Sequence, residues 1–170
     1  EISLGLVGSE MCIRDSDKID WYGVDQRGYN RVVYGSADND TADFSDVIGK
    51  VTFYGGKGED IITIGRYNVI DGGTGNDAIF DSGHSVKNTI MLGKESGHDT
   101  LHNIRTEADT TVLFSGNLTI KDVELTTGKD WVVRLKGSNN ALTIKDMVHS
   151  PSGHDTIDTF KFEGLSLIHI

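Results

Sequence analysis

The sequence predicts an all-β protein in which short parallel strands stack as a solenoid, and three observations lead to this. Of the 170 residues, 21 are glycine and one is proline, and glycine together with many Val, Ile and Thr is typical of tight turns between short strands. Turns that begin with glycine recur at Gly35, Gly55, Gly72 and Gly93. No comparable stretch has apolar residues at the spacing of a helical face, so helices should be rare.

Two columns of apolar residues recur once in each of these repeats. The first column lies two residues before each leading glycine, and the second lies in the short β-prone run that follows each turn. The members of the first column are Val33, Phe53, Ile70 and Met91, and those of the second are Ala42, Ile62, Ile79 and Leu101. Stacked parallel strands share a core through such recurring side chains, so we expect both columns to be buried.

The pattern changes at about residue 106. Glycine pairs disappear, and longer alternating runs predict strands at 110–114, 117–125, 131–135, 141–144 and 156–162. A solenoid needs a terminal unit that covers its last exposed strands. We therefore expect a β-rich capping segment over residues 106–164, which follows a solenoid over residues 17–105.

The two ends of the chain have a different origin in our interpretation. Residues 6–16 and 165–170 correspond to the translation of a transposase-type sequencing adapter and of its reverse complement. We interpret residues 1–16 and 165–170 as adapter-derived segments and exclude them from the fold. Cys12, the single cysteine, lies in the first of them, so we expect no disulfide in the rest. We also expect the parent protein to have extended further, with any export signal or catalytic domain outside this sequence.

The formal net charge of −10 narrows the class of partner. Nucleic acid is bound by basic surfaces, so it is not an expected partner, whereas cations are. The sequence lacks the run of about 18 apolar residues that a membrane-spanning helix needs. It also contains no zinc-protease, serine-hydrolase or thiol motif outside the terminal segments. We therefore expect this segment not to be an enzyme.

Two turns carry the pattern that points to a binding site. Residues 55–63 and 72–80 match the nonapeptide Gly-Gly-x-Gly-x-Asp-x-U-x, where U is a large apolar residue, at every fixed position. The glycines permit positive φ and let the backbone direct its carbonyls to one point. Asp60 and Asp77 then supply an anionic oxygen at the end of each turn. Because calcium takes about six to eight hard oxygens in irregular geometry, stacked turns of this kind predict a calcium site.

At these two turns the sequence closely resembles the RTX (repeats in toxin) family of secreted proteins. The resemblance implies a right-handed parallel β-roll that holds calcium between successive coils, with Asp60 and Asp77 as carboxylate ligands of one shared ion. The other candidate ligands are backbone carbonyls, those of Gly55, Lys57, Gly58, Gly72, Thr74 and Gly75. The resemblance also implies export through a type I channel and an extracellular location.

Two further turns match the motif only in part. The turn that begins at Gly35 keeps Asp40 at the sixth place but lacks two glycines, and a later turn keeps only Gly97 and Asp99. Asp40 is a candidate ligand of a second calcium site with Asp60, or else a surface turn residue. Asp99 is a ligand or a turn residue that binds backbone amides. These aspartates are 20, 17 and 22 residues apart, which departs from the uniform coils of the family. The opposite edge lacks the motif, so we expect calcium on one edge only.

Our functional hypothesis is a calcium-dependent folding module of a secreted bacterial protein. Crowded aspartates repel one another until calcium neutralises them, so the binding energy of the metal becomes folding energy. One alternative is a calcium-stabilised carbohydrate-binding module attached to a polysaccharide-modifying enzyme. Another is the scaffold of an adhesin or toxin, with a carbohydrate or a cell surface as its partner.

Overall fold

The computed structural model describes residues 10–12, 18–19, 30–102, 109–147, 157–163 and 168–169. Within these ranges the chain is all-β apart from one short 3₁₀ helix, Ile120–Asp122. The strands are β1 Glu10–Cys12, β2 Lys18–Ile19, β3 Arg31–Tyr34, β4 Thr41–Asp43, β5 Val51–Tyr54, β6 Ile61–Arg66, β7 Asn68–Asp71, β8 Ala78–Val86, β9 Thr89–Leu92, β10 His98–His102, β11 Thr110–Phe114, β12 Val123–Thr126, β13 Trp131–Leu135, β14 Ala141–Ile144, β15 Ile157–Phe162 and β16 Ile168–His169. In the part of the chain so described, no helix is long and apolar enough to cross a membrane.

The strands form two eight-stranded sheets, between which the chain alternates from β1 to β12. One sheet has the order β1-β3-β5-β7-β9-β11-β15-β16, and the other has the order β12-β13-β14-β10-β8-β6-β4-β2. From β3 to β11 and from β2 to β10, neighbouring strands are parallel. The result is a parallel β-solenoid of about four turns over residues 31–114. The predicted fold class is confirmed.

We number the coils by their strands. Coil 1 consists of β3 and β4, coil 2 of β5 and β6, coil 3 of β7 and β8, and coil 4 of β9 and β10. The turns that end at Asp40, Asp60, Asp77 and Asp99 lie along one edge, which we call the aspartate edge. The returning turns lie along the other edge, which we call the asparagine edge after two residues described below.

The second apolar column is confirmed in full. Ala42, Ile62, Ile79 and Leu101 stack in register through the second sheet, and each side chain is at most 1% exposed. In the first column, Val33, Phe53 and Ile70 also stack and are fully buried. These residues form the centre of the solenoid core.

The prediction that Met91 belongs to the first column is wrong. Ile70 pairs with Ile90, and the buried residues of β9 are Ile90 and Leu92. The prediction counted two residues back from Gly93, but the turn that follows β9 is longer than the motif turns. Because of this longer turn, the inward-facing Ile90 lies three residues before the leading glycine, Gly93, whereas Ile70 lies two residues before Gly72.

The aspartate edge keeps a constant turn length over the first three coils. The inward residues on either side of the turn are nine positions apart in each, in the pairs Val33 and Ala42, Phe53 and Ile62, and Ile70 and Ile79. Coil 4 needs eleven positions, from Ile90 to Leu101. At the asparagine edge the corresponding distance is 11, 8 and 11 positions. The unequal spacing of Asp40, Asp60 and Asp77 therefore arises at the asparagine edge and leaves their own turns alike.

A mixed β-sheet region follows the solenoid. β14 extends the second sheet parallel to β10, while β12 and β13 add antiparallel strands beyond it. β15 extends the first sheet parallel to β11. The predicted strands at 110–114, 131–135 and 141–144 are confirmed, and that at 156–162 is present as β15, with residue 156 outside the described ranges.

The strand predicted over 117–125 is wrong over most of its length. The 3₁₀ helix Ile120–Asp122 occupies its middle, and only β12 continues as a strand. The Asp122 carboxylate accepts hydrogen bonds from the backbone N–H and the hydroxyl of Thr119, at 2.9 and 2.7 Å. A Thr with an acidic residue three positions later is a helix-start signal, which outweighs the alternating pattern here.

Strands are also present within the terminal segments. β1 pairs with β3, and β16 pairs with β15. The adapter interpretation of residues 1–16 and 165–170 concerns the origin of these segments and stays a prediction.

Candidate cation site on the aspartate edge

The two complete motif turns have the backbone that their glycines predict. Gly56 and Gly73, the second glycines, have φ of 104° and 95°, and Gly58 and Gly75, the fourth residues, have φ of 112° and 132°. Side chains other than glycine rarely adopt such values. The turns of coils 2 and 3 also pair with each other, since Lys57 and Thr74 form a parallel bridge. The motif thus builds two matching turns that lie directly one upon the other.

The aspartates of the four turns form a continuous ladder. In coils 2, 3 and 4, the Oδ1 atom of the aspartate accepts a hydrogen bond from the backbone N–H of the aspartate in the preceding coil. Asp60 accepts from Asp40 at 2.8 Å, Asp77 from Asp60 at 2.9 Å, and Asp99 from Asp77 at 3.0 Å. All four residues are about 1% exposed. The ladder therefore holds four carboxyl groups in line inside the protein.

The second oxygens of the two central aspartates have no partner. Asp60 Oδ2 and Asp77 Oδ2 are buried and receive no hydrogen bond. An unpaired buried polar oxygen costs about 1 to 3 kcal/mol, and more when it is charged. A proton, a water molecule or a cation would satisfy such atoms.

A backbone carbonyl meets one of these oxygens beside Gly55. A Cβ placed on Gly55 would collide with both Asp60 Oδ2 and the carbonyl oxygen of Gly72 in the next coil. Two oxygens, one of them from a carboxyl group, thus lie close together against the bare Cα of Gly55, and we call this pair the cradle. Oxygens repel each other unless a positive charge lies between them, so this cradle suits a cation.

In coil 1, hydrogen bonds satisfy the second oxygen of the ladder aspartate. Asp40 Oδ2 accepts the backbone N–H of Ser36 at 2.6 Å and its hydroxyl at 3.1 Å. Ser36 stands where the complete motif has its second glycine. Asp40 therefore joins the ladder, but its outer oxygen is already satisfied. The candidate role of Asp40 as a calcium ligand stays a prediction.

Asp99 belongs to the ladder despite its incomplete motif. It accepts the amide of Asp77, 22 residues away, and so links two coils where the sequence left a local turn as an alternative. The turn of coil 4 differs from those of coils 2 and 3 in length, and a buried serine, Ser96, bonds the N–H of Gly93 within it at 2.8 Å.

The electrostatic environment of the ladder disfavours the ionised state of Asp60, Asp77 and Asp99. Burial raises the pKa of Asp60 to about 7, against the lowering effect of the Asp40 amide, and the charges of Asp77 and Asp40 raise it further. Burial likewise raises the pKa of Asp99 to about 8, with added repulsion from Asp77 and Asp71. The pKa of Asp77 is also raised, mainly by burial. A bound cation would favour the ionised form and reverse these shifts.

The asparagine edge carries a second ladder, which is neutral. The Asn68 N–H donates to Asn88 Oδ1 at 2.7 Å, and Asn88 Nδ2 donates to the Gly65 carbonyl at 2.9 Å. An amide presents both a donor and an acceptor, so it satisfies the stacked backbone without a charge. Aspartate has a second oxygen where asparagine has the Nδ2 donor, so the ladder of the aspartate edge lacks this donor. The two edges therefore differ: the aspartate edge is the one at which carboxyl oxygens are left unpaired.

The structure brings the predicted site residues together at one edge. Gly55, Asp60 and the Gly72 carbonyl form the cradle, and Asp77 lies one coil further on, with its Oδ2 against Gly72. The Thr74 carbonyl accepts the Gly58 N–H at 3.0 Å and is thus engaged in the bridge between the turns. Lys57 lies in this bridge, and a Cβ on Gly75 would meet the Gly58 carbonyl.

Sequence reasoning missed three features of the edge. Asp71, directly before Gly72, is a further carboxyl group whose pKa is raised by burial, and it lies outside the motif. The partnership of Ser36 with Asp40 and the Asn68–Asn88 ladder were also missed. Asn68 and Asn88 could have been found from the sequence, because an asparagine stands two residues before the inward-facing Ile70 and Ile90 in successive coils.

Calcium fits the donors present at the cradle. Among the described residues, no three His, Cys, Asp or Glu side chains form a group that could hold a metal. The oxygens that could contact an ion at this edge are those of the ladder carboxyl groups and of the backbone carbonyls beside them. Carbonyl and carboxylate oxygens without nitrogen or sulfur are the ligand set of calcium rather than of zinc.

Compared with known protein families and with curated protein sequences, the chain matches no family model and no curated sequence.

Proposed function

We propose that this chain is a calcium-binding β-roll module, in which calcium at the aspartate edge completes and stabilises the solenoid. The observation that carries the proposal is the cradle at Gly55, where buried Asp60 Oδ2 has no partner and the Gly72 carbonyl points at the same space. The resemblance of the two complete turns to RTX repeats supports calcium as the ion.

Bound calcium would supply positive charge to a ladder that is hard to ionise without it. The residues of the chain position the carboxyl groups that such an ion would contact. Hydrogen bonds between Oδ1 atoms and amides fix the carboxyl groups in line, and the glycines keep the space beside them open. Since such an ion binds the stacked turns and not the unfolded chain, its binding free energy adds to the stability of the fold.

The proposed setting is outside the cell, in a secreted bacterial protein. Extracellular calcium modules have affinities of about 10⁻⁴ to 10⁻³ M, which a low-calcium cytosol does not satisfy. A chain of this kind would stay loosely folded before export through a type I channel and would fold after it. A non-catalytic role is part of the same proposal.

Carbohydrate binding has less support from the surface. The exposed rings of Tyr34 and Tyr54 stack on each other, with centroids 5.4 Å apart and planes 15° apart. Each ring therefore covers one face of the other, and these faces are what a sugar would pack against. A carbohydrate or cell-surface partner remains the alternative proposal.

A calcium titration of the full chain tests the proposal. Thermal unfolding by circular dichroism and binding by calorimetry would be measured in calcium, in magnesium and in chelator, for the wild type, Asp60→Asn and Asp43→Asn. Asp43 is an exposed aspartate at the far end of β4, so its variant is the control for loss of charge.

We expect calcium to raise the melting temperature of the wild type and of Asp43→Asn, with a much weaker effect of magnesium. Asn at position 60 could donate to the Gly72 carbonyl, so Asp60→Asn should melt higher than the wild type in chelator and gain less from calcium. Equal melting of the wild type with calcium and with chelator, without heat of binding, would refute the proposal.

A further inference from the structure

We infer that the cleft between the turn of coil 4 and the turn that joins β13 to β14 binds a small hydroxylated carboxylate. The ammonium groups of Lys94 and Lys136 and the carboxylate of Asp122 line this cleft together, and we call it the hairpin cleft. The inference goes beyond the proposed calcium-binding function and does not depend on it, because no aspartate of the ladder lines the cleft.

The hairpin cleft lies where the solenoid meets the mixed sheet. Asn140, directly before β14, fastens the two together, since its Oδ1 accepts the Gly97 N–H at 3.0 Å and its Nδ2 donates to the Lys94 carbonyl. The Ala141 N–H also donates to the Gly97 carbonyl, at 2.8 Å. The long turn of coil 4 is thus held against the mixed sheet. Because the two walls are fixed before a ligand binds, the entropic cost of binding is lower.

Two buried leucines supply the apolar part of the lining. Leu118 and Leu135 belong to the hydrophobic core and are 4% and 3% exposed. Core side chains are closely packed, so this part of the cleft keeps its shape, and it suits the C–H groups of an organic ligand. The cleft has a volume of about 260 Å³. Ligand pockets usually have about 300 to 1,000 Å³, so this one fits a single small unit.

The lysines of the lining have unused hydrogen-bond donors. The Lys94 ammonium forms no hydrogen bond or ion pair with any residue of the described ranges. The Lys136 ammonium donates to the Lys121 carbonyl at 2.8 Å, which leaves two of its three N–H groups. Two ammonium groups at one small cleft favour an anionic ligand, even though the whole chain has a net charge of −10.

Asp122 adds a carboxylate to the same lining. Its Oδ2 accepts the N–H and the hydroxyl of Thr119, while its Oδ1 accepts no hydrogen bond from the described residues. The hydroxyl and the N–H of Thr119 lower the pKa of Asp122, and the charges of Lys94 and Lys136 lower it further. The ionised Asp122 repels a bare anion, but its Oδ1 can accept a hydrogen bond from a hydroxyl group of a ligand.

One class of ligand satisfies all parts of the cleft. Its carboxylate accepts hydrogen bonds from the two lysines, an adjacent hydroxyl group donates to Asp122, and its C–H groups pack against the leucines. A sugar acid or another polyhydroxy acid has these groups within one small unit. Such a unit occurs as a free acid and as the end of an acidic polysaccharide.

Titrations of the full chain, followed by the NMR signals of the backbone amides, test this inference. The probes are glucuronate, glucose, which lacks the carboxylate, and sulfate, which has the charge without the C–H groups. Each titration is made in calcium and repeated without it, because carboxylates also bind calcium. The proteins are the wild type, Lys94→Gln and the control Lys129→Gln. Lys129 is a lysine of the mixed-sheet region whose side chain is 80% exposed and pairs with Asp146 at 3.2 Å.

We expect glucuronate to shift the amide signals of Gly137 and Ser138, which line the cleft. Lys94→Gln should weaken binding by about tenfold through loss of one charge-assisted hydrogen bond, and Lys129→Gln should keep the affinity of the wild type. Glucose and sulfate should bind about tenfold more weakly than glucuronate. An oligomer of glucuronate that binds at least as tightly as the monomer would identify the end of a polysaccharide as the source, and weaker binding would identify a free acid. Both of these outcomes support the cleft as a carboxylate site.

The inference is overturned if glucuronate leaves the signals of Gly137 and Ser138 unchanged in both buffers. It is also overturned if sulfate binds as tightly as glucuronate, since the cleft would then attract any anion. A third contrary result is a loss of affinity in Lys94→Gln no greater than that in Lys129→Gln, which net charge would explain. None of these results bears on the proposed function, which stands or fails by the binding of calcium to the wild type.

Discussion

At the scale of single residues, the aspartates of the ladder differ in whether their second carboxyl oxygen has a hydrogen-bond donor. Asp60 and Asp77 were identified from the repeated motif, and the structure places an unpaired oxygen of each at one edge. The role of Ser36 was not predictable in the same way, because its bond to Asp40 arises only when the glycines of the motif are replaced. Asp71 was missed because a motif describes shared positions, and Asp71 occurs in one coil only.

The raised pKa values of the ladder predict how the ion-free chain responds to pH. The pKa of Asp60 is about 7 and that of Asp99 about 8, above the ordinary value of 3.8. As the pH rises, these carboxyl groups lose their protons at a lower pH in the unfolded chain than in the folded chain. The stabilisation of the folded state by these protons is therefore complete below about pH 4 and is lost as the pH rises to about 8. We expect the melting temperature in chelator to fall between about pH 5 and pH 8.

Scanning calorimetry across this range checks the prediction. The fall should be smaller in saturating calcium, because bound calcium replaces the protons, and smaller in Asp60→Asn, which lacks one titrating group. A melting temperature in chelator that rises throughout this range would contradict it.

A substitution at Gly55 tests whether the cradle must stay free of a side chain. Its φ is not in the left-handed region, so Gly55→Ala introduces no backbone strain and fills only the space beside Asp60 Oδ2 and the Gly72 carbonyl. We expect a loss of about 1 to 3 kcal/mol of stability from overpacking and loss of calcium binding at the cradle. Denaturant unfolding with and without calcium measures both effects.

Gly128→Ala is the matched control for this substitution. The nearest atom to a Cβ on Gly128 is 3.7 Å away, an ordinary contact, and its φ is not positive. Equal losses from Gly55→Ala and Gly128→Ala would show that the cradle has no special requirement for space.

At the scale of elements, periodicity predicted where strands occur, and turn length decided their register. Seven of the eight residues named for the apolar columns are buried, and Met91 failed because coil 4 has a longer turn. The alternating pattern at 117–125 also failed, since the capping interaction of Thr119 with Asp122 starts a 3₁₀ helix there. Both errors arise where a local turn, rather than the strand pattern, sets the position of the chain.

Ile90 and Met91 test the register of β9. Ile90 is 1% exposed and pairs with Ile70, whereas Met91 is half-buried on the outer side. We expect Ile90→Ala to lower the free energy of unfolding by about 2 to 5 kcal/mol through the cavity it leaves, and Met91→Ala to lower it by less than about 1.5 kcal/mol. Urea unfolding of the two variants compares these losses. A larger loss of unfolding free energy for Met91→Ala would support the register predicted from the sequence, in which Met91 is buried.

At the scale of the whole molecule, stability should vary along the solenoid axis. Each coil contacts mainly its neighbours, so a stabilising ion acts most strongly on the coils it joins and less on distant ones. The ladder couples coils 1 to 4 through successive amides, while the mixed sheet at β12–β13 has no rung of it. The general architecture was predictable because the repeat encodes it, but the hairpin arrangement of the mixed sheet depends on contacts that no repeat describes.

Hydrogen exchange with and without calcium should show this gradient. The amides of Asp60 and Asp77, which bond the ladder carboxylates, should gain the most protection. Those of Gly65 and Asn68 at the asparagine edge should gain less, and those of β13 the least. A uniform gain throughout the chain would mean instead that calcium acts on one cooperative unit.

The constant turns of one edge and the variable turns of the other give the protein a natural place for insertions. Returns of 11, 8 and 11 positions are all compatible with one unbroken line of carboxyl groups. A peptide epitope inserted beside the exposed Ile48, away from the buried Phe44 and Val47, would therefore lengthen one return without changing the distance between neighbouring rungs. Such a graft could report the proposed metal-bound state from outside.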